Sequence, residues 1–328
     1  MNKKVIGVVG HFEPGMKKAL ETLLPNGFLL EYIQEKEQTE KLRSIDSMIT
    51  RLFKIDKELI ESCLKLSLIQ RWGAGYDKVD VAFATERGIA VALAAGSNAS
   101  AVSELAVLLM LAVYRRLVEA DRSVHSGKWQ TEGLLGDAMQ IQGKTVGMLG
   151  FGTIARLTAK KVLAFGATVQ YYDIAGAFPE GDGMAEAQYV SLEQLLKTSD
   201  IVSVHVPLSD ATRNLIGRRQ LECMKPGAIL INTARGGIID EDALADLLTA
   251  GHLRGAGLDT FATEPIDLKN RLLEIPTVIC TPHLGGLAIE VNEICARHCY
   301  RNILNFYEHG EINARDLVNP EYKHRREM

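Results

Sequence analysis

The chain lacks a basic excess, a long apolar run and paired cysteines, and each absence removes a class of function. Lysine and arginine total 37 against 41 aspartate and glutamate, a net charge of −4, so no field is present to hold nucleic acid. The basic cluster Lys323-His324-Arg325-Arg326 reads as a solvated terminus. The longest apolar run, 105–113, is half a membrane span and is bracketed by Glu104 and Arg115. Near the start, Val5-Ile6-Gly7-Val8-Val9 is shorter than a signal core and is soon followed by His11 and Glu13, so it reads as a first strand. Five cysteines, at 63, 223, 280, 295 and 299, show no paired spacing. An odd count without a secretory signal fits free thiols in a reducing compartment. Cys295, His298 and Cys299 have the residue types of metal ligands, but they share one helical stretch with no second cluster and read as packing residues. A cytoplasmic chain with no metal, membrane or nucleic-acid partner is expected.

What is present is an α/β pattern. With 328 residues, 47% hydrophobic and 24% charged, the chain is globular and long enough for two domains. Short β-branched runs alternate with amphipathic helical stretches, the pattern of doubly wound parallel sheets. Strands are predicted at 5–9, 47–49, 67–70 and 90–92, then, after Gly143-Lys144, at 145–149, 168–172, 201–204, 228–231, 255–258 and 278–280. One long helix is predicted over 100–126. It is apolar almost all round at 105–113, which requires burial on several sides, in a domain joint or a dimer interface. A last helix, about 289–308, has no strand after it and should dock on the first domain.

Two groups of residues carry chemistry. The strand at 145–149 runs into Gly150-Phe151-Gly152-Thr153-Ile154-Ala155 and then into a helix. This is G-x-G-x-x-A in strand–turn–helix context: Gly150 permits the turn, Gly152 lets a pyrophosphate approach the helix end, and Ala155 permits close packing. The next strand ends at Asp173, about twenty residues on, where an acid would hold the adenosine ribose hydroxyls. Asp173 has a second reading as a turn residue, which the joint match makes the minor one. Ile174-Ala175-Gly176 follow without a cation, so a 2′-phosphate would meet only a carboxylate, and NAD is favoured over NADP. Late in the chain, Arg235, Glu264 and His283 stand at or just beyond predicted strand ends, where open sheets gather their ligands. Hydride transfer at C2 of a hydroxy acid moves a proton on the substrate oxygen. A histidine suits that transfer at neutral pH. A carboxylate beside it favours the imidazolium, and an arginine pairs with a substrate carboxylate. Singly, each also reads as an ordinary surface or turn residue.

Together these segments resemble the D-isomer-specific 2-hydroxyacid dehydrogenases, including the glyoxylate and hydroxypyruvate reductases and phosphoglycerate dehydrogenases. The resemblance spans nearly the whole chain. It rests on Arg71-Trp72-Gly73-Ala74-Gly75-Tyr76-Asp77, Val102-Ser103-Glu104, His205-Val206-Pro207-Leu208 with Thr212, the run from Asn232 to Asp240, Asp259 to Pro265, and Pro282-His283. It implies that Arg235, Glu264 and His283 are catalytic, and that amides of Ala74 and Gly75 hold the substrate carboxylate beside Arg235. Cofactor contacts are implied at Gly150, Gly152, Thr153, Ile154, Asp173, Val206, Pro207, Thr212, Thr233, Ala234, Asp259, His283, Gly285 and Gly286. It also implies a central Rossmann NAD domain, 99–286, inserted in a split flavodoxin-like substrate domain, 1–98 plus 287–328. A homodimer joined through helix 100–126 is implied too. Arg71 is a candidate for a second substrate group, or else pairs with Asp77 or Asp80. Gly127-Lys128-Trp129 resembles the phosphoglycerate dehydrogenases, but Gln130-Thr131 stand where an arginine often follows, so a smaller acid fits at least as well. Ala155 replaces the usual third glycine, Ala94-Ala95 stand where relatives often have Thr-Pro, and Ala288 stands near a common threonine. The sequence stops soon after Asn319-Pro320, so no appended regulatory domain is expected. Three other readings stay open. A formate dehydrogenase should carry glutamine in place of Glu264. A phosphite dehydrogenase keeps a similar trio, as does a non-catalytic NAD-sensing protein of the co-repressor type.

Overall fold

The computed structural model describes residues 3–35, 38–129, 136–179 and 184–326. Gln130-Thr131 lie outside the described residues. The chain divides into two units: 1–98 with 287–328, and 99–286.

Unit one is built on five strands: β1 (Lys4–Val9), β2 (Phe28–Ile33), β3 (Ser47–Thr50), β4 (Leu68–Arg71) and β5 (Ala90–Leu93). They are all parallel, in the order β2-β1-β3-β4-β5. The central strands β3 and β4 are buried at every residue, as expected of a sheet covered on both faces. β2 was not foreseen: it is an edge strand whose run is broken by Glu31 and is only partly buried. The helix Ile289–His309 belongs to this unit. Its Tyr300 hydroxyl donates to the Leu20 carbonyl at 2.7 Å and its Tyr307 hydroxyl to the Asp46 carbonyl at 2.8 Å. The helix ends at Gly310 in the left-handed region, φ 68°, which only glycine adopts at little cost. The chain then returns to the edge of β5. The Leu93 amide donates to the Asp316 carbonyl, and the Val318 amide to the Val91 carbonyl.

Unit two has seven parallel strands: β6 (Thr145–Leu149), β7 (Thr168–Tyr172), β8 (Ala187–Tyr189), β9 (Ile201–Val204), β10 (Ile229–Asn232), β11 (Gly255–Leu258) and β12 (Val278–Cys280). Their order is β12-β11-β10-β9-β6-β7-β8. The chain starts in the middle with β6, works outward to β8, then crosses back to β9. That reversal creates a topological switch point between β6 and β9. β8 was missed because three residues, two of them exposed, carry no periodic signal.

The single helix expected over 100–126 is two helices, Ala99–Tyr114 and Leu117–His125. Arg116 breaks it, with φ 48° and its guanidinium drawn to Glu119 at 2.9 Å and Asp137 at 3.1 Å. The first helix buries Val102, Ala106, Leu109, Met110 and Val113. It packs within its own unit, against the helix Thr153–Ala164 and strands β10 to β12. Among the described residues, no helix is long and apolar enough to cross a membrane.

Candidate active site

In unit two one rung of the sheet organises the site. Tyr172, Leu149, Val204, Asn232, Leu258 and Cys280 are successive partners across six strands. The next residues along each strand are Asp173, Gly150, His205, Thr233, Asp259 and Thr281. Segments far apart in sequence therefore leave the sheet side by side.

The glycine loop occupies the switch point. Gly150 has φ +85°, and a Cβ there would lie 2.9 Å from Val206 Cγ1 and 3.0 Å from the His205 backbone. Only glycine lets the turn after β6 pass so close to the segment that follows β9. Gly152 caps the helix Thr153–Ala164 with no side-chain cap bond, and a Cβ on it would meet nothing within 4 Å. Thr153 and Ile154 form the first turn behind it, and Ala155 is fully buried. First-turn amides with no capping side chain, at the positive end of a helix dipole, make an anion cradle. Asp173 braces the loop. Its Oδ2 accepts from the Phe151 amide at 2.8 Å and its Oδ1 from the Ala175 amide at 2.9 Å. It thus does the work of a turn residue as well as presenting a half-buried acid. Thr212 closes the turn beyond Val206-Pro207, its hydroxyl donating to the Pro207 carbonyl at 2.6 Å. Burial pushes the His205 imidazole pKa down to about 4, and its Nε2 lies 2.9 Å from Ser203 Oγ.

The next loops present the ionisable residues. Asn232 shapes the first: its amide nitrogen donates to the Arg235 carbonyl at 2.9 Å and its oxygen accepts from the Ala234 amide at 3.0 Å. The half-buried Arg235 guanidinium turns back to the Ala234 carbonyl at 2.7 Å. Gly236 lies flat against the neighbouring loop, where a Cβ would fall 1.8 Å from the Phe261 carbonyl carbon. The sequence alone does not reveal why a glycine is needed here. The hydroxyls of Thr233 and Thr260 are buried without a hydrogen-bond partner among the described residues.

Asp259, 1% exposed, ties down the last loop. It accepts from Thr281 Oγ1 at 2.6 Å, the Leu284 amide at 2.7 Å and the Gly285 amide at 2.8 Å. His283 is thereby held at φ 55°, a conformation uncommon for a residue with a Cβ. Its Nδ1 lies 2.9 Å and 3.1 Å from the two Glu264 oxygens. Glu264 Oε1 also accepts from the Phe261 amide at 3.2 Å. With Nδ1 committed to the carboxylate, Nε2 on the opposite ring edge is the nitrogen left for chemistry. Arg235 issues from the strand beside the one that leads to Glu264.

Unit one carries a second rung, Val9, Thr50, Arg71 and Leu93. Arg71 is 5% exposed, and its Nε donates to the Gly75 carbonyl at 2.7 Å. It supports the 73–75 loop from within. Asp80, one alternative partner for it, accepts from the Phe83 amide as a helix cap. Ala74 is exposed and Gly75 half-buried. The sequence reading missed Arg51, one residue past β3 and next to the rung's Thr50. Burial lowers its guanidinium pKa, with Glu13 and Cys295 acting in the opposite sense. Its signal in the sequence is its place at the carboxyl end of β3.

The family model for the NAD-binding domain of D-isomer specific 2-hydroxyacid dehydrogenases matches residues 107–285, more than half of the chain. The chain belongs to this family. It is a nicotinamide-dependent oxidoreductase of the 2-hydroxyacid type. It is 40% identical over 301 residues to a glyoxylate reductase of Thermococcus litoralis, covering 90% of this chain and 87% of that one. Over 287 residues it is 39% identical to a hydroxypyruvate reductase of Thermotoga maritima, covering 85% and 92%. Among solved structures, an NAD-dependent formate dehydrogenase from Staphylococcus aureus in complex with NAD superposes with a TM-score of 0.85. It is 28% identical, covering 96% of this chain and 98% of that one.

Proposed function

We propose that the protein reduces a small 2-keto acid of the glyoxylate or hydroxypyruvate size to the D-2-hydroxy acid with NADH. The observation that carries this is the His283–Glu264 pair at 2.9 Å, on loops that leave the same rung as the glycine loop. The residues fit a dinucleotide. Gly152 and the amides of Thr153 and Ile154 would take the pyrophosphate and Asp173 the ribose hydroxyls, with Val206, Pro207, Thr212, Thr233, Ala234, Asp259, Gly285 and Gly286 along the rest. When bound, the cofactor supplies the hydride. Asp173 with no cation in Ile174-Ala175-Gly176 favours NAD over NADP.

The chain's own residues manage charge and the proton. Glu264 accepts from Nδ1 and orients the ring, so that His283 Nε2 would be placed to donate a proton to the substrate oxygen. Arg235 pairs with the substrate carboxylate and polarises the keto oxygen. In unit one the amides of Ala74 and Gly75 are the groups offered to a substrate carboxylate, and Arg71 keeps their loop in shape. Arg51 lies beside the switch point of β1 and β3, where it can meet a polar group beyond C2.

In the same reading the protein is a cytoplasmic homodimer joined through 100–126. Leu108, Leu117 and Val124 are half exposed along these helices, and all five cysteines are free thiols. Sedimentation at two concentrations checks the dimer. The activity is tested with a panel of 2-keto acids and either reduced cofactor, followed by loss of nicotinamide absorbance. Phosphite and formate are assayed with the oxidised cofactors, followed by its gain. Turnover of phosphite or formate alone would overturn the reading. So would tight NADH binding with no turnover of any of these.

A further inference from the structure

Unit one contains a chain of side-chain hydrogen bonds that no motif announces. His298, on the helix Ile289–His309, has Nε2 2.7 Å from Asp316 Oδ2 and Nδ1 2.9 Å from Ser97 Oγ. Asp316 is 4% exposed, and its carbonyl accepts from the Leu93 amide at 2.8 Å. Ser97 stands in the turn that follows β5. In that turn the Ala94 amide donates to the carbonyls of Gly73 at 3.0 Å and Arg71 at 3.2 Å. The Asn98 amide nitrogen is the nearest group to a Cβ built on Gly73, at 3.7 Å. An unbroken path of contacts therefore runs from Asp316 through His298 and Ser97 to the 73–75 loop.

Histidine does here what a packing residue cannot. A buried carboxylate must be matched by a donor, and Nε2–H supplies it. Nδ1, on the opposite edge of the same ring, then meets the Ser97 hydroxyl. A rigid ring with bonds at both ends sets the distance between the C-terminal segment and the 94–98 turn. Leucine would fill the volume, yet would leave Asp316 without this partner and Ser97 without its bond to the ring.

We propose that His298 is a positioning residue for substrate binding: the Asp316–His298–Ser97 chain fixes the 94–98 turn and, through it, the amides of the 73–75 loop. This rests on the reading that Ala74 and Gly75 hold the substrate carboxylate.

The test compares Ser97→Ala, His298→Leu and His298→Asn, reading KM for glyoxylate, KM for NADH, kcat and the thermal midpoint. Ser97→Ala and His298→Leu are expected to raise KM for glyoxylate about three- to ten-fold, the worth of one neutral hydrogen bond. KM for NADH and kcat should stay within about two-fold, the pattern of lost binding without lost chemistry. His298→Asn keeps a polar group at the Nδ1 end, facing Ser97, and abandons Asp316. It should therefore melt earlier than the parent while restoring most of the glyoxylate KM. A lower melting point in Ser97→Ala and His298→Leu with unchanged KM for glyoxylate overturns the proposal and makes the chain scaffold only. So does a fall in kcat at constant KM. Ala74→Pro, which deletes a carboxylate-binding amide, tests the underlying reading separately. If it leaves KM unchanged, the loop is not the carboxylate site and both ideas fall. If it raises KM while the Ser97 and His298 variants do not, only the positioning role falls.

Discussion

Both parallel sheets end in a rung from which polar segments depart, but the two units build those segments differently. In unit two the parts are local. Gly150, Gly152 and the following helix lie within a few residues, and Asn232 shapes the loop that presents Arg235 three residues on. In unit one the parts are distant. Ser97 bonds His298 across 201 positions, and the Arg71 carbonyl receives the Cys299 thiol at 3.8 Å across 228. On the proposed reading the difference follows from the ligand each unit would take. A pyrophosphate needs several amides pointing one way, which one turn and one helix end deliver. A small acid needs a few groups converging from different directions, which strand ends and a returning helix deliver.

The largest test of this comparison is at the proton. His283→Ala should lower kcat by about 10²–10⁴-fold, the usual worth of a general acid. Steady-state turnover measures it, and a loss under about five-fold would take His283 out of the reaction.

Two glycines in unit two then separate backbone from ligand. Gly236→Ala places a Cβ inside the Phe261 backbone. It should cost more than about 3 kcal/mol, or roughly 6–12 °C in the melting point. Gly152→Ala meets nothing within 4 Å, so the melting point should hold while NADH affinity, titrated by fluorescence, falls. Equal melting of the two variants would remove the distinction.

In unit one, Arg71 and Arg51 should part. Arg71→Ala is expected to weaken glyoxylate and a keto acid with a distal anion alike, because the Gly75 carbonyl loses its support. Arg51→Ala should spare glyoxylate and penalise the distal anion by about 1.5–3 kcal/mol. Ratios of kcat/KM decide. Selective loss in the Arg71 variant would make that arginine the specificity residue.

Asp173→Asn should shift the NADH to NADPH preference toward NADPH by about ten-fold, or ~1.4 kcal/mol. An unchanged ratio would leave Asp173 as the brace of the glycine loop and nothing more.

The smallest effect is on stability. Burial holds His205 neutral with a folded pKa of about 4, against an ordinary value of 6.5. Between these values the unfolded chain binds a proton that the folded one refuses, so stability falls as pH drops from about 6.5 toward 4. Melting curves of His205→Gln should lose less over that window than those of the parent. Parallel curves would assign the acid sensitivity elsewhere.

Much of unit two was legible in advance because its signals are contiguous. Its strands stand out as buried β-branched runs, and its glycine loop is punctuated between strand and helix. Unit one was less legible. The strand Phe28–Ile33 carries a charged residue on a half-covered edge, and Arg51 follows its strand without any motif. The break at Arg116 was hidden too, because the residues around it are good helix formers, and one of the two carboxylates that meet its guanidinium, Asp137, is far along the chain.

The amino-acid order alone determined that this chain forms parallel α/β sheets, that an anion cradle follows the strand Thr145–Leu149, and that an arginine, a glutamate and a histidine follow strand ends. Periodicity and turn chemistry act over a few residues and need no knowledge of partners. The tertiary structure decided which residues meet. Register across the sheet put Asp173, Gly150, His205, Thr233, Asp259 and Thr281 beside one another, three bonds to Asp259 turned His283 toward Glu264, and the returning helix brought His298 between Ser97 and Asp316. Those meetings depend on strand order and on long loop closures, whose cost and direction are settled only when the whole core packs.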